Sequence, residues 1–184
     1  MMSFLKSLFG AKQEQSKSET EETAQGFKRL PAPDSVEAYA AILREILVQQ
    51  DVFARRQLKG ALAHWPDKAT GLHFGIHPDQ DGEGTFDVML HVQGPDSYVI
   101  NKAISEYRRL FEIKRMPGGL NISVPLFDPD EVDYEVRDVI ADVAMDWAEN
   151  LWAKEGKNHP DLPVLIFCDE DWGNAPARWL QGEP

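Results

Sequence analysis

The alternation of apolar and polar residues is most regular between Asp128 and Gly156. Asp128 followed by Pro129 fits the start of a helix, and Glu131 has the capping-box spacing. Gly156 suits the C-terminal end. Between them, apolar residues recur at three- and four-residue steps: Val132, Val136, Val139, Ile140, Val143, Trp147 and Leu151. This pattern predicts one long amphipathic helix near the C-terminus, with its apolar stripe buried in the core.

The other periodic segments predict a small sheet packed against helices. Helical periodicity covers three more segments, 36–47, 52–62 and 97–114. Period-two alternation or a short apolar run, both typical of strands, covers four segments, 72–76, 86–92, 120–124 and 164–168. The order α(α)ββαβαβ is typical of the α+β class, with about four mostly antiparallel strands.

Composition divides the chain into three parts. Residues 1–9 are a short amphipathic segment whose large apolar side chains, Phe4, Leu5, Leu8 and Phe9, suit docking on a membrane surface or a protein. Residues 10–30 are polar and are predicted to be a disordered linker. Residues 31–184 are predicted to form a single acidic domain that ends in an irregular tail, 169–184.

The negative charge is concentrated near the C-terminus. The net charge of the chain is −12, and residues 128–184 alone hold fifteen acidic and four basic residues. Such a surface argues against binding nucleic acid, which needs clustered Lys and Arg. It favours a basic protein partner, although an ordinary acidic surface is the simpler alternative. The strongest cluster for a partner is in the tail: Asp169, Glu170, Asp171, Trp172 and Trp179.

The remaining composition favours the cytoplasm of a bacterium. The chain has one cysteine, Cys168, which excludes an internal disulfide framework and suits a reducing compartment. The acidic residues that follow Cys168 work against thiolate formation. No run approaches the roughly 20 apolar residues of a membrane span.

Histidines of the predicted hairpin form the sharpest chemical constellation. If Ile76 pairs with Val88, His73 lies opposite His91, and His77 lies opposite Asp87, all on the polar face of the sheet. This arrangement suits a metal site or a proton-transfer pair. A slip of the register by one residue would move every side chain to the other face, so the geometry depends on the pairing.

The main basic cluster consists of Lys102, Arg108, Arg109, Lys114 and Arg115. We expect it to balance the acidic C-terminal third, and a phosphate site is the alternative.

The sequence therefore predicts a non-enzymatic bacterial interaction protein of the adaptor, chaperone or toxin-neutralising type, with no cofactor. The alternative is a metal-binding protein or metal-dependent hydrolase that uses the hairpin histidines.

Overall fold

A five-stranded sheet with helices on one face makes up most of the chain that the computed structural model describes, residues 30–159 and 161–182. The helices are α1 (Val36–Gln49), α2 (Asp51–Ala63), α3 (Ser97–Ala103) and α4 (Val136–Glu155). The strands are β1 (Gly71–Pro78), β2 (Phe86–Gln93), β3 (Arg109–Glu112), β4 (Arg115–Met116), β5 (Gly119–Leu120), β6 (Val164–Cys168) and β7 (Ala177–Gln181). This architecture confirms the predicted α+β class.

The main sheet has the order β3-β2-β1-β6-β7, and β4 and β5 form a separate pair. Strands β1 and β6 are parallel, and the other neighbours in the main sheet are antiparallel. The predicted hairpin is confirmed with its register, because Ile76 pairs with Val88 and His73 pairs with His91.

Alternate residues of the central strands face the helices and build the core. Helix α4 packs against β1 and β6, and α2 packs against β3. The side chains on this face are almost fully buried: Leu72, Phe74, Ile76, Val88, Leu90, Val92, Val164 and Ile166. Among the described residues, no helix is both long enough and apolar enough to cross a membrane.

The long helix is present, but its first residue is Val136 rather than Pro129, seven residues later than predicted. Asp128 instead caps a single turn of 3-10 helix by accepting a hydrogen bond from the Asp130 amide at 3.3 Å. The side chain of Glu135 caps α4 through the amide of Arg137 at 3.2 Å. The capping signals at Asp128 therefore mark a separate turn.

Aromatic packing explains the late start of α4. The Tyr134 ring lies near the rings of Tyr39 and Phe127, with centroid distances of 6.4 and 6.1 Å. Its hydroxyl donates to the Pro33 carbonyl oxygen at 2.9 Å. This tertiary packing holds the segment before α4 against the core, so the regular helix follows it.

The helix predicted over 97–114 is wrong in its second half. Helix α3 ends at Ala103, and residues 109–112 form β3 at the sheet edge. The predicted strand over 120–124 is reduced to the short β5. The Asn101 side chain accepts from the Val92 amide and donates to the Val92 carbonyl, both at 2.9 Å, so it extends the ladder of β2 beyond β3.

The tail also differs from its prediction, since residues 177–181 form the edge strand β7 rather than irregular chain. Arg178 explains the strand's position, because it lies on the helix side of the sheet and binds Asp146 and Glu149 of α4 at 2.8 and 2.9 Å. The amphipathic segment 1–9 and nearly all of the predicted linker 10–30 lie outside the described residues.

Candidate functional site

The face of the sheet opposite α2 and α4 carries most of the candidate side chains. We call it the open face, because the described residues leave it without a covering helix; α3 borders it at the β2 edge. Its side chains are His73 and His77 of β1, Asp87, Met89 and His91 of β2, Leu165 and Phe167 of β6, and Trp179 of β7. Most are half-buried, and Trp179 is 37% exposed.

A chain of four side chains crosses the open face. The Arg108 Nη2 atom lies 3.3 Å from Nδ1 of His91. The Nε2 atoms of His91 and His77 are 3.2 Å apart, and Nδ1 of His77 lies 3.1 Å from Oδ2 of Asp169. The two histidines are thus in contact through their ring nitrogens, and each has its second nitrogen held by a charged residue.

The charged ends of this chain fix the direction of every hydrogen bond. Arg108 has only donors, so Nδ1 of His91 accepts, and neutral His91 carries its hydrogen on Nε2. That hydrogen points to Nε2 of His77, which accepts and therefore carries its own hydrogen on Nδ1, facing Asp169. The network assigns one tautomer to each imidazole, with donation running from Arg108 to Asp169.

Gly75 lies beneath the histidine pair and allows the rings to meet. A Cβ atom at this position would stand 2.7 Å from Nε2 of His77 and 2.8 Å from Nε2 of His91. Since real Cβ contacts are longer, any side chain here would push the rings apart. The glycine of β1 is therefore part of the site.

The surroundings keep His91 neutral. Burial, then the charges of Arg108 and His77, lower the pKa of His91 to about 4. Burial also lowers the pKa of His73. For Asp87, burial raises the pKa against the opposing effect of His77, and its buried Oδ1 atom has no hydrogen-bond partner in the part of the chain that the structure describes.

The four residues proposed as metal ligands are only partly brought together. His77 and His91 are in contact, but the His73 ring packs edge-on against Trp179 and Phe167, with centroids 6.2 and 6.1 Å away. Within the described part of the chain, no group of three or more His, Cys, Asp or Glu side chains is arranged to hold a metal ion. The Arg108 donor also opposes metal binding at Nε2 of His91, because that nitrogen needs a free lone pair.

The three acidic residues of the tail lie together in one exposed turn. Asp169, Glu170 and Asp171 form a turn after β6, which we call the acidic turn. All three are exposed, and Glu170 and Asp171 have φ values of 57° and 59°, in the left-handed region. Two successive non-glycine residues in this region are uncommon, and such strain of about 1–3 kcal/mol each is typically stored at functional sites.

By contrast, the two tail tryptophans separate. Trp172 packs against the core beneath the Arg137 guanidinium, 4.0 Å from its carbon atom. Trp179 stands on the open face, opposite Leu165. Of the two, only Trp179 is therefore exposed on the open face.

Much of the C-terminal acidity has a structural use that the sequence did not indicate. Asp138 accepts from the Gly173 amide at 2.8 Å, and Asp142 accepts from the Asn174 amide at 2.9 Å. Together with the ion pairs of Arg178, these contacts fasten the connection between β6 and β7 to α4. The acidic turn is thus a better candidate surface than the whole C-terminal third.

Cys168 and the acidic loop of the β1–β2 hairpin both have structural roles. Cys168 is buried, and burial together with Asp169 raises the pKa of its thiol to about 12. The acidic loop of the hairpin is closed by its own first residue, since the Asp79 carboxylate accepts from the amides of Glu83 and Thr85 at 2.8 and 2.6 Å.

Sequence reasoning missed Phe167 and the contact between Arg108 and His91. Phe167 lies among the three hairpin histidines, with ring centroids 5.9–6.1 Å away. The apolar run of β6 predicted a buried strand, and alternation alone does not show which residues of such a run face outward. Arg108 was named only as a member of the basic cluster, because the helix wrongly predicted over 97–114 did not place it beside the hairpin histidines.

The fold and the site define a two-layer α+β protein with one covered and one open sheet face. A family model described as a family of unknown function (DUF6389) matches residues 35–178. Because the match covers most of the chain, this protein belongs to that family. No curated protein and no solved structure matches the chain.

Proposed function

We propose that this protein is a non-enzymatic interaction module that binds a basic protein partner through the acidic turn and the adjoining part of the open face. The observation that carries the proposal is the left-handed backbone of Glu170 and Asp171, which holds two exposed carboxylates outward at an energetic cost. Strain of this kind persists where the surrounding structure over-determines it, which favours a functional turn.

The neighbouring surface suits a protein contact. Phe167 lies two residues before the acidic turn, Trp179 lies further along the open face opposite Leu165, and aromatic residues are enriched at binding hot spots. A basic partner would gain electrostatic steering toward Glu170 and Asp171, and its Lys or Arg side chains could stack on Trp179. We assign the protein to the bacterial cytoplasm in the same proposal, supported by its single, unpaired cysteine.

The test compares two variants with the same charge change. Wild type, E170Q/D171N and D130N/E131Q are used to capture partners from host lysate, with quantitative mass spectrometry; all four substituted residues are exposed. We expect E170Q/D171N to reduce the dominant partner by about tenfold, a loss near 1.4 kcal/mol. The D130N/E131Q control should retain it.

Two outcomes would overturn the proposal. Equal capture by wild type and E170Q/D171N would remove the acidic turn from the contact. Equal losses in both variants would mean that only total charge matters, which contradicts a specific surface.

A second candidate is the metal-binding protein or hydrolase, supported by the 3.2 Å separation of the His77 and His91 Nε2 atoms. Elemental analysis of purified protein tests it directly. Stoichiometric metal that is lost in His77→Ala and His91→Ala would replace our proposal, whereas metal-free protein with a melting temperature unchanged by chelator would eliminate the candidate.

A further inference from the structure

Three of the five cations in the main basic cluster form ion pairs with carboxylates. Arg109 and Lys114 both bind Glu112, at 3.2 and 2.6 Å, and Arg115 binds Glu83. These acids lie nearby in the sheet and hairpin, so the cluster does not balance the C-terminal third as expected. Arg108 and Lys102 have no carboxylate within 4.0 Å among the described residues.

These two unpaired cations line the same groove. It lies between α3 and the β2 edge of the open face, with a volume of about 570 Å³. Its other lining side chains are hydroxyls, an amide and an imidazole, from Ser97, Tyr98, Asn101, Ser105 and His91. Among residues 30–159 and 161–182, no carboxylate lines the groove, although the chain has 31 acidic residues.

Arg108 is held in place by neutral acceptors. Its Nε atom donates to the Leu90 carbonyl oxygen at 3.1 Å, and Nη2 reaches His91 Nδ1. A guanidinium has five N–H donors, so three remain for another acceptor. Burial, then Arg109, lower the pKa of Arg108, and the charge of Asp87 opposes them without cancelling them.

We propose that this groove binds a small phosphorylated molecule. The Arg108 fork and the Lys102 ammonium supply the charge that a phosphate group needs, and the serine hydroxyls supply further donors. Tyr98 lines the groove on α3 and is 79% exposed, so its ring offers an apolar surface to the rest of the ligand. The groove lies at the Arg108 end of the hydrogen-bonded chain, and the acidic turn lies at its Asp169 end. The inference does not depend on the function proposed for the acidic turn.

The test uses phenyl phosphate, inorganic phosphate and benzoate as probes, with isothermal titration calorimetry on the full chain. We expect saturable 1:1 binding, tightest for phenyl phosphate. Arg108→Gln should weaken it by about tenfold or more, and Lys102→Glu by a similar factor, because each removes a charge-assisted contact. Arg109→Gln is the matched control, since Arg109 is paired with Glu112, and it should bind as wild type does.

A second readout follows the His91 imidazole by NMR. Phosphate bound to Arg108 would offset the charge that helps to keep the pKa of His91 near 4, so that pKa should rise on binding. Because Lys102 is exposed, Lys102→Glu serves as the decisive variant if Arg108→Gln fails to fold.

Three results would overturn the inference. The first is the absence of saturable binding by any phosphate probe. The second is equal weakening by Arg108→Gln and Arg109→Gln, which would indicate diffuse attraction. The third is tighter binding of benzoate than of phenyl phosphate, which would assign the groove to carboxylates.

Discussion

The two faces of the sheet are built from neighbouring residues of the same strands, yet they differ in burial and in composition. On the covered face, residues such as Phe74 and Leu90 are fully buried beneath the helices. On the open face, the intervening positions carry histidines, an aspartate and aromatic rings that are half-buried. The covered face supplies apolar burial, whereas the open face holds an ordered polar chain. Apolar burial and the polar side-chain network are thus assigned to alternate residues of the same strands.

The largest expected effect is a difference in stability loss between substitutions at two adjacent positions of β2, one on each face of the sheet. Leu90→Ala should destabilise the protein by about 2–5 kcal/mol, because it removes a fully buried side chain and leaves a cavity. Met89→Ala, on the open face, should cost under about 1.5 kcal/mol, since Met89 is already partly solvated. Urea unfolding of both variants measures the difference. Equal losses would show that something covers the open face.

Gly75→Ala tests whether the histidine pair depends on its glycine. The added methyl group would force the rings of His77 and His91 apart, at a cost of about 1–3 kcal/mol. Their imidazole ¹⁵N shifts should change as the contact is lost. Gly118→Ala is the control, because its Cβ would have no neighbour within 4 Å. Unchanged imidazole shifts in Gly75→Ala would refute the pair.

Acid should lower the free energy of unfolding through a residue of the open face, His91. The pKa of His91 is about 4 in the folded protein, below the unfolded value near 6.5, so the unfolded state binds the extra proton first. The stability due to neutral His91 is present above pH 6.5 and is lost as pH falls toward 4. The loss is on the order of 1–3 kcal/mol, and the raised pKa of Asp87 opposes it.

Urea unfolding at pH 7 and pH 4.5 measures this loss in wild type, His91→Gln and His64→Gln. The fall in stability should be smaller in His91→Gln, which has no imidazole to titrate. His64 lies outside the chain of four residues, so His64→Gln should behave as wild type does. A wild-type fall that is unchanged in His91→Gln would assign the acid sensitivity elsewhere.

The smallest expected effect concerns the strain in the acidic turn. Glu170→Gly should stabilise the protein by up to about 1 kcal/mol, because glycine adopts positive φ without steric cost. Glu45→Gly, in the middle of α1, should instead destabilise it by about 1 kcal/mol. Thermal unfolding distinguishes the two signs. Destabilisation by Glu170→Gly would mean that the Glu170 side chain itself supports the turn.

The sequence was most informative where local pattern and burial agree. Period-two alternation predicted the β1–β2 hairpin and the faces of its side chains, because a shift of one residue would bury His73 and expose Phe74. The pairing of Ile76 with Val88 was an assumption that the structure confirms. The apolar stripe likewise predicted α4, although its start was set by the packing of Tyr134. Helical spacing was misleading at Phe111, whose burial in β3 matches either period over so short a stretch.

The candidate site was predicted only in part. Alternation placed His77 opposite Asp87 and on the same face as His91, but it gave no indication of which nitrogens meet. The contact between the two rings is diagonal, and it depends on Gly75, on Arg108 just before β3 and on Asp169 just after β6. Arg108 and Asp169 lie outside the hairpin in sequence.

The sequence alone determined the α+β class, the two faces of the hairpin and the residues of the core, because these follow from periodicity along short segments. The tertiary structure decided the hydrogen-bonded network from Arg108 to Asp169, the strained acidic turn and the cation-lined groove. The network and the groove join residues from separate segments, and the network depends on distances of about 3 Å. Such distances are set by the packing of the whole chain.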